Sequence, residues 1–197
     1  MPRIKPVEAI AAMAKTSRTD IGQGDRINLG VASIISHQPE VAAALGAMTA
    51  ALRDSGALPP RLMELVRLRI AFHNQCRSCM SIRYQSAIDD GLTEEAVCSL
   101  ERPSEATDLT ETERSALKFA DLFATNHLAI DDAVYNELRS HFSEDQLVAL
   151  GLHCAFCVGV GRLAATWHVV EDLPSGMAGQ SDSPLAPWLT ESVVASG

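Results

Sequence analysis

Cys76 and Cys79, three positions apart, are the residues of this chain best suited to chemistry. A cysteine reacts as its thiolate; a free thiol titrates at about 8.5, and lower at a helix N-terminus beside cations. Cys76 stands where a helical pattern opens, Cys79 lies one turn in, and Arg77 and Arg83 flank them. Cysteines at i and i+3 can close on each other, so one can attack a substrate and the other resolve it as a disulfide. Glu64, twelve residues before Cys76, is a carboxylate able to move a proton or to pair with an arginine. Tyr84 reads as a core or interface hydroxyl.

Glu64 does not reach Cys76 along one straight helix, in which twelve residues span about 18 Å. The chain must turn, and His73-Asn74-Gln75 is where the pattern breaks. Pro59 and Pro60 open a helix to about residue 73, apolar nearly all round and therefore central. A second helix is expected from residue 76 to 90, stopped by Gly91. An antiparallel hairpin about the turn sets Glu64 against Arg83, which lies one helical turn beyond Cys79.

Nearly every other periodic segment also reads as helix, and no run alternates apolar and polar over strand length. Residues 6–15 suit a short first helix, and residues 16–30, with three glycines, read as a loop. Pro39 starts a helix over 40–53, and Thr93 caps a short one. Thr110 with Glu113, and Ser143 with Gln146, form capping boxes before helices that end near residues 126 and 170. Asp131 or Asp132 caps another helix between them. The expected fold is all-α: one domain over residues 1–173, a helical bundle around a central hairpin that carries the CxxC pair. Residues 174–197 form a Pro/Gly/Ser-rich tail, either mobile or, as we favour, docked through Trp188.

A chain of 197 residues can bury a full core. Its net charge of −9 argues against a nucleic-acid binder, which needs a basic footprint. The longest apolar run, residues 148–161, is too short to cross a bilayer, and the first fifteen residues lack a secretion-signal core. The reading is a soluble, cytoplasmic protein with no membrane partner. Five cysteines in that setting suit catalysis, metal or packing rather than a disulfide framework. Cys76, Cys79, Cys154 and Cys157 would satisfy tetrahedral zinc, but the pairs are far apart and lack knuckle turns. Cys154 and Cys157 sit in an apolar run where cysteine packs as a small hydrophobe, and Cys98 reads the same way. No metal and no cofactor are expected.

The hairpin resembles the carboxymuconolactone decarboxylase and alkylhydroperoxidase D family. The likeness lies in LPPRLMELVRLRIA, in the glutamate twelve residues before a CxxC, and in the helix that follows. It extends to about residue 170 through residues 110–126, DDAVYNELRSHFSEDQLVALGL and Gly161-Arg162-Leu163. The resemblance implies an AhpD-like all-α fold that assembles as a dimer, trimer or hexamer. It implies that Cys79 attacks a small-molecule peroxide, that Cys76 resolves it, and that a thiol or dithiol reductant restores the pair. It makes Glu64 the start of a proton relay. The family places a histidine four residues after the second cysteine, and sometimes one between the cysteines; here those positions are Arg83 and Ser78. Arginine stays protonated and is no base, so Arg83 is left the role of steadying a thiolate. His73, three residues before Cys76, His127 and His168 are the candidates to replace the missing histidine, each read first as a structural residue. The function implied is a thiol-dependent alkyl hydroperoxide peroxidase or disulfide reductase, an antioxidant oxidoreductase of peroxiredoxin type. The alternatives are a non-redox enzyme like carboxymuconolactone decarboxylase, and a non-catalytic member that keeps Glu64 and Arg83 as an ion pair.

Overall fold

Proline fixes φ near its helical value and lacks only an N–H that the first turn leaves unpaired, so Pro59 and Pro60 are well placed to begin a helix. In the computed structural model, which describes residues 1–10, 12, 20–179, 183–188 and 191–196, that helix spans Pro60–Asn74. Ten α-helices have both ends among the described residues: α1 Gln23–Ile35, α2 Pro39–Asp54, α3 Pro60–Asn74, α4 Arg77–Ser81, α5 Gln85–Asp89, α6 Glu94–Cys98, α7 Glu111–Thr125, α8 Asp132–Arg139, α9 Glu144–Trp167 and α10 Ser175–Ala178. Two single-turn 3-10 helices, Ser99–Glu101 and His127–Ala129, and two three-residue strands, β1 Ile82–Tyr84 and β2 Val193–Ala195, also lie among the described residues. The fold is all-α, and α3 is its axis, with α7 and α9 packed along it. Leu62, Leu65, Val66, Leu68 and Ile70 of α3 are buried, as its nearly continuous apolar surface requires.

Local signals mark the ends. Gln75, at φ 51°, is the left-handed residue that stops α3 and turns the chain. The Glu113 N–H donates to Thr110 Oγ1 at 3.1 Å while Glu113 Oε2 accepts from the Thr110 N–H at 2.8 Å. Gln146 Oε1 likewise accepts from the Ser143 N–H at 3.0 Å. Asp131 caps α8 through the N–H groups of Ala133 and Val134. By length and composition, α9 is the one helix among the described residues able to cross a membrane; here it lies along α3 with Leu147, Leu150, Cys154 and Ala164 buried.

The expected loop over residues 16–30 is corrected: from residue 23 it is helix α1. Glycine costs a helix about 1 kcal/mol relative to alanine, which is why the segment reads as loop. The glycines serve packing instead. A Cβ at Gly24 would lie 2.3 Å from the Val194 carbonyl oxygen, and one at Gly30 would lie 3.0 Å from Val169 Cγ1. Gly24→Ala should therefore push β2 off α1 and cost about 1–3 kcal/mol despite the better helix former. Urea denaturation measures it, and an unchanged midpoint would show that β2 is not seated on α1. Of the expected helix over 6–15, residues 8–10 and 12 are helical, and residues 11 and 13–15 lie outside the described residues.

The expected helix from 76 to 90 is also corrected. It is broken into α4, the extended β1 and α5. β1 pairs in parallel with β2, Ile82 opposite Val193 and Tyr84 opposite Ala195. The described part of the tail packs against the chain's own body. Met177 and Ala195 are buried, and the Trp188 ring centroid lies 4.8 Å from that of Phe72. Gln75 brackets Leu185, donating to its carbonyl at 3.1 Å and accepting from its N–H at 2.9 Å. Arg77, between the cysteines, donates to the Met177 carbonyl at 3.3 Å and the Gly179 carbonyl at 2.5 Å.

Candidate active site

Glu64 and Arg67 lie one turn apart on the same face of α3. Arg67 clamps the carboxylate at two points, Nε to Oε2 at 2.6 Å and Nη2 to Oε1 at 2.6 Å. This bidentate, charge-assisted geometry is the strong form of the contact, and Glu64 is only 3% exposed. Glu64 Oε1 also accepts from the Tyr84 N–H at 3.2 Å. Arg67 donates further to the carbonyls of Cys79 at 2.7 Å and Ile82 at 2.9 Å, so it fastens the CxxC segment to α3. Its guanidinium sits 5.0 Å from the Tyr84 ring centroid. Burial alone would lower the Arg67 pKa, but the Glu64 charge and hydrogen bonds outweigh it and hold the guanidinium above its ordinary value. Burial pushes the Tyr84 phenol up, and its hydroxyl reaches Asn28 Oδ1 at 3.5 Å.

Gln75 swings Cys76 back beside α3, where the Cys76 N–H donates to the Ala71 carbonyl at 3.0 Å. Cys76 and Cys79 are joined as a disulfide, with Cα atoms 5.3 Å apart. Cys76 is fully buried. Cys79 lines a cavity of about 470 Å³ enclosed by α1, α2, α3 and α9. Val31, Leu45, Phe156 and Val160 are among its apolar walls, and Glu64 and Arg67 form a polar patch on it. Ser78 Oγ lies 3.5 Å from Cys76 Sγ.

The structure thus brings Glu64, Cys79 and Tyr84 to one cavity, with Cys76 bonded behind it. It does not bring Arg83 there, and Glu64 is paired with Arg67 instead. The reason is the extended backbone of β1, in which successive side chains point to opposite sides. Ile82 and Tyr84 line the cavity; Arg83 between them does not. Arg83 is 2% exposed and turned to Glu94, 3.0 and 3.3 Å away. It also donates to the carbonyls of Met80, Ile82 and Pro187 at 2.8, 3.1 and 2.8 Å. Arg83 is a tie between β1, α6 and the tail. His73 is drawn to α7: its Nε2 lies 2.6 Å from Asp121 Oδ1, on a carboxylate that Arg69 grips at 2.6 and 3.1 Å. Burial would raise the Asp121 pKa, but the His73 and Arg69 contacts hold it below the usual carboxylate range. His127 is exposed in the turn His127–Ala129, and His168 caps α9 at φ 56°; neither lines the cavity.

Three further residues line the cavity: Arg67 and His153, which the sequence does not single out, and Cys157, which it marks only as packing or a zinc ligand. Arg67 was signalled by its i,i+3 spacing from Glu64. His153 and Cys157, at i and i+4 on α9, were hidden inside an apolar run. Cys154 and Cys157 are free, and among the described residues no group of three or more His, Cys, Asp or Glu is arranged to hold a metal ion.

Residues 39–122, a segment that holds Glu64, Arg67 and both cysteines, match the model of the carboxymuconolactone decarboxylase family. Two uncharacterized proteins from different strains of Mycobacterium tuberculosis are each 43% identical to it over 96 residues, 48% of this chain and 33% of theirs. The chain therefore spans about a third of the length of the curated relatives it matches. Among solved structures, a protein of unknown function from Agrobacterium tumefaciens, whose name suggests an antioxidant defence protein AhpD, is 26% identical with a TM-score of 0.57 over 66% of this chain and 88% of that one. The alkylhydroperoxidase AhpD core of an uncharacterized peroxidase-related protein from Ralstonia eutropha superposes with a TM-score of 0.63 over 96% of this chain and 98% of that one; at 17% identity it shows the fold alone.

Proposed function

We propose that this protein is a thiol-dependent peroxidase acting on organic hydroperoxides, or a disulfide reductase using the same pair. The observation that carries the reading is the Cys76–Cys79 disulfide presenting Cys79 to an apolar cavity beside the Glu64–Arg67 clamp. In the reduced protein, Cys79 Sγ attacks the distal peroxide oxygen. The S–O bond forms, the O–O bond breaks and the alcohol leaves. Cys76 then attacks the sulfenic sulfur, water departs and the disulfide forms. A thiol or dithiol reductant returns the pair to the reduced state. Among the described lining residues Glu64 is the one carboxylate, and it serves as the proton acceptor for Cys79. Arg67, bonded to the Cys79 carbonyl, opposes the negative charge that gathers on sulfur, the role that the resemblance leaves to Arg83.

The reading includes a cytoplasmic homo-oligomer, a dimer, trimer or hexamer. Its support is the apolar side chains left exposed on neighbouring helices, Val41 on α2 and Val148, Leu152 and Leu163 on α9. A lactone decarboxylase function is the second reading, supported by the family match and needing only the cavity, Glu64 and Arg67. Cumene hydroperoxide turnover with a dithiol reductant separates the two. Cys79→Ser should reduce turnover to the uncatalysed background. Cys76→Ser should stop after one turnover with sulfenic acid on Cys79. Wild-type rates in both variants would remove the thiol mechanism and leave the second reading standing.

A further inference from the structure

Among the described residues, the cavity that exposes Cys79 is lined by one other cysteine, Cys157. Residues i and i+4 of a helix share a face, so α9 presents His153 and Cys157 together toward α3. Cys157 Sγ lies 3.7 Å from His153 Nε2. The same nitrogen lies 2.9 Å from the Met63 carbonyl oxygen. A carbonyl only accepts, so Nε2 carries the hydrogen and shares it between that oxygen and the sulfur. His153 is therefore a donor toward Cys157, not a base acting on it. Burial would lower the imidazolium pKa, yet the charge and hydrogen bond of Cys157, with the Met63 bond, leave it raised. Arg67 and Cys157 line the same cavity. Cys154, one turn earlier on α9, is fully buried, and that burial pushes its thiol well up. With Cys76 and Cys79 bonded to each other, Cys157 is the free thiol on the cavity wall.

We propose that Cys157 is a second peroxide-reactive thiol of this cavity, set against His153, which takes an organic hydroperoxide when the Cys76–Cys79 pair is already oxidised. The inference rests on the hydroperoxide reading for its oxidant. Cys157 Sγ attacks the distal oxygen, an S–O bond forms and the O–O bond breaks. The sulfur is oxidised to the sulfenic acid, the hydroperoxide is reduced to its alcohol, and the thiol proton ends on the departing alkoxide. The shared His153 N–H favours this step because it opposes the negative charge on sulfur.

The test uses the full chain with its disulfide intact, exposed to cumene hydroperoxide in the presence of dimedone, and maps adducts by peptide mass spectrometry. Cys157 should label at least about tenfold faster than Cys154. His153→Asn should slow Cys157 several-fold while the rate at exposed Cys98, which monitors the fold, stays constant. The Cys76→Ser/Cys79→Ser double variant, which lacks the disulfide-forming pair, should still label at Cys157. Labelling of Cys157 no faster than Cys154 overturns the inference and returns Cys157 to plain packing. Intact wild-type turnover alongside that result would spare the CxxC reading; lost turnover with Cys157 still labelled would do the reverse.

Discussion

Arg67→Met should destabilise the protein by about 3–5 kcal/mol, because it leaves the Glu64 carboxylate charged and 3% exposed, without its partner. The Tyr84 N–H alone would then face the carboxylate, and the carbonyls of Cys79 and Ile82 would each lose a donor. Urea denaturation of single and double variants measures the effect. Adding Glu64→Leu should recover much of the loss, since an apolar pair of similar volume often replaces a buried ion pair at little cost. Turnover of hydroperoxide should be lost in both variants. A single-variant loss below about 1 kcal/mol would mean that water reaches the pair as it does at a surface bridge.

Arg83→His should not restore a proton relay, although it places the family's histidine at the family's position. The side chain at 83 leaves β1 on the side away from the cavity, toward Glu94 and the tail. The substitution should instead cost about 2–4 kcal/mol, since the carbonyls of Met80, Ile82 and Pro187 lose a charged donor and an imidazole is too short to serve them all. Thermal unfolding would show the loss, and hydrogen exchange would localise it to β1 and β2. Faster peroxide turnover at unchanged stability would place residue 83 in the cavity after all.

Features written in short-range signals were legible before the structure. The proline-led start of α3, its all-round apolar surface, the turn at Gln75 and both capping boxes depend on residues within a turn or two of each other. Glu64, Cys76, Cys79 and Tyr84 were singled out on type and spacing. Features set by distant parts of the chain were not legible. Ile82–Tyr84 is extended because Val193–Ala195 lies against it, and no property of Ile82, Arg83 and Tyr84 alone announces that partner. Once β1 was read as helix, Arg83 fell on the Cys79 face, and the nearer Arg67 was passed over. The same strand hid α1, since Gly24 admits the Val194 carbonyl at a distance that any side chain would forbid. His153 and Cys157 look like core because they are mostly enclosed; only the cavity between α3 and α9 shows what they face.

The central claim is that Cys79 reduces a hydroperoxide and Cys76 closes the disulfide. Its most direct measurement is a single turnover: fully reduced protein, one equivalent of cumene hydroperoxide under anaerobic conditions, with alcohol and cysteine states quantified together. The account predicts one alcohol for each Cys76–Cys79 disulfide formed, with Cys98 and Cys154 unchanged. Peroxide left unconsumed with both thiols intact would contradict it.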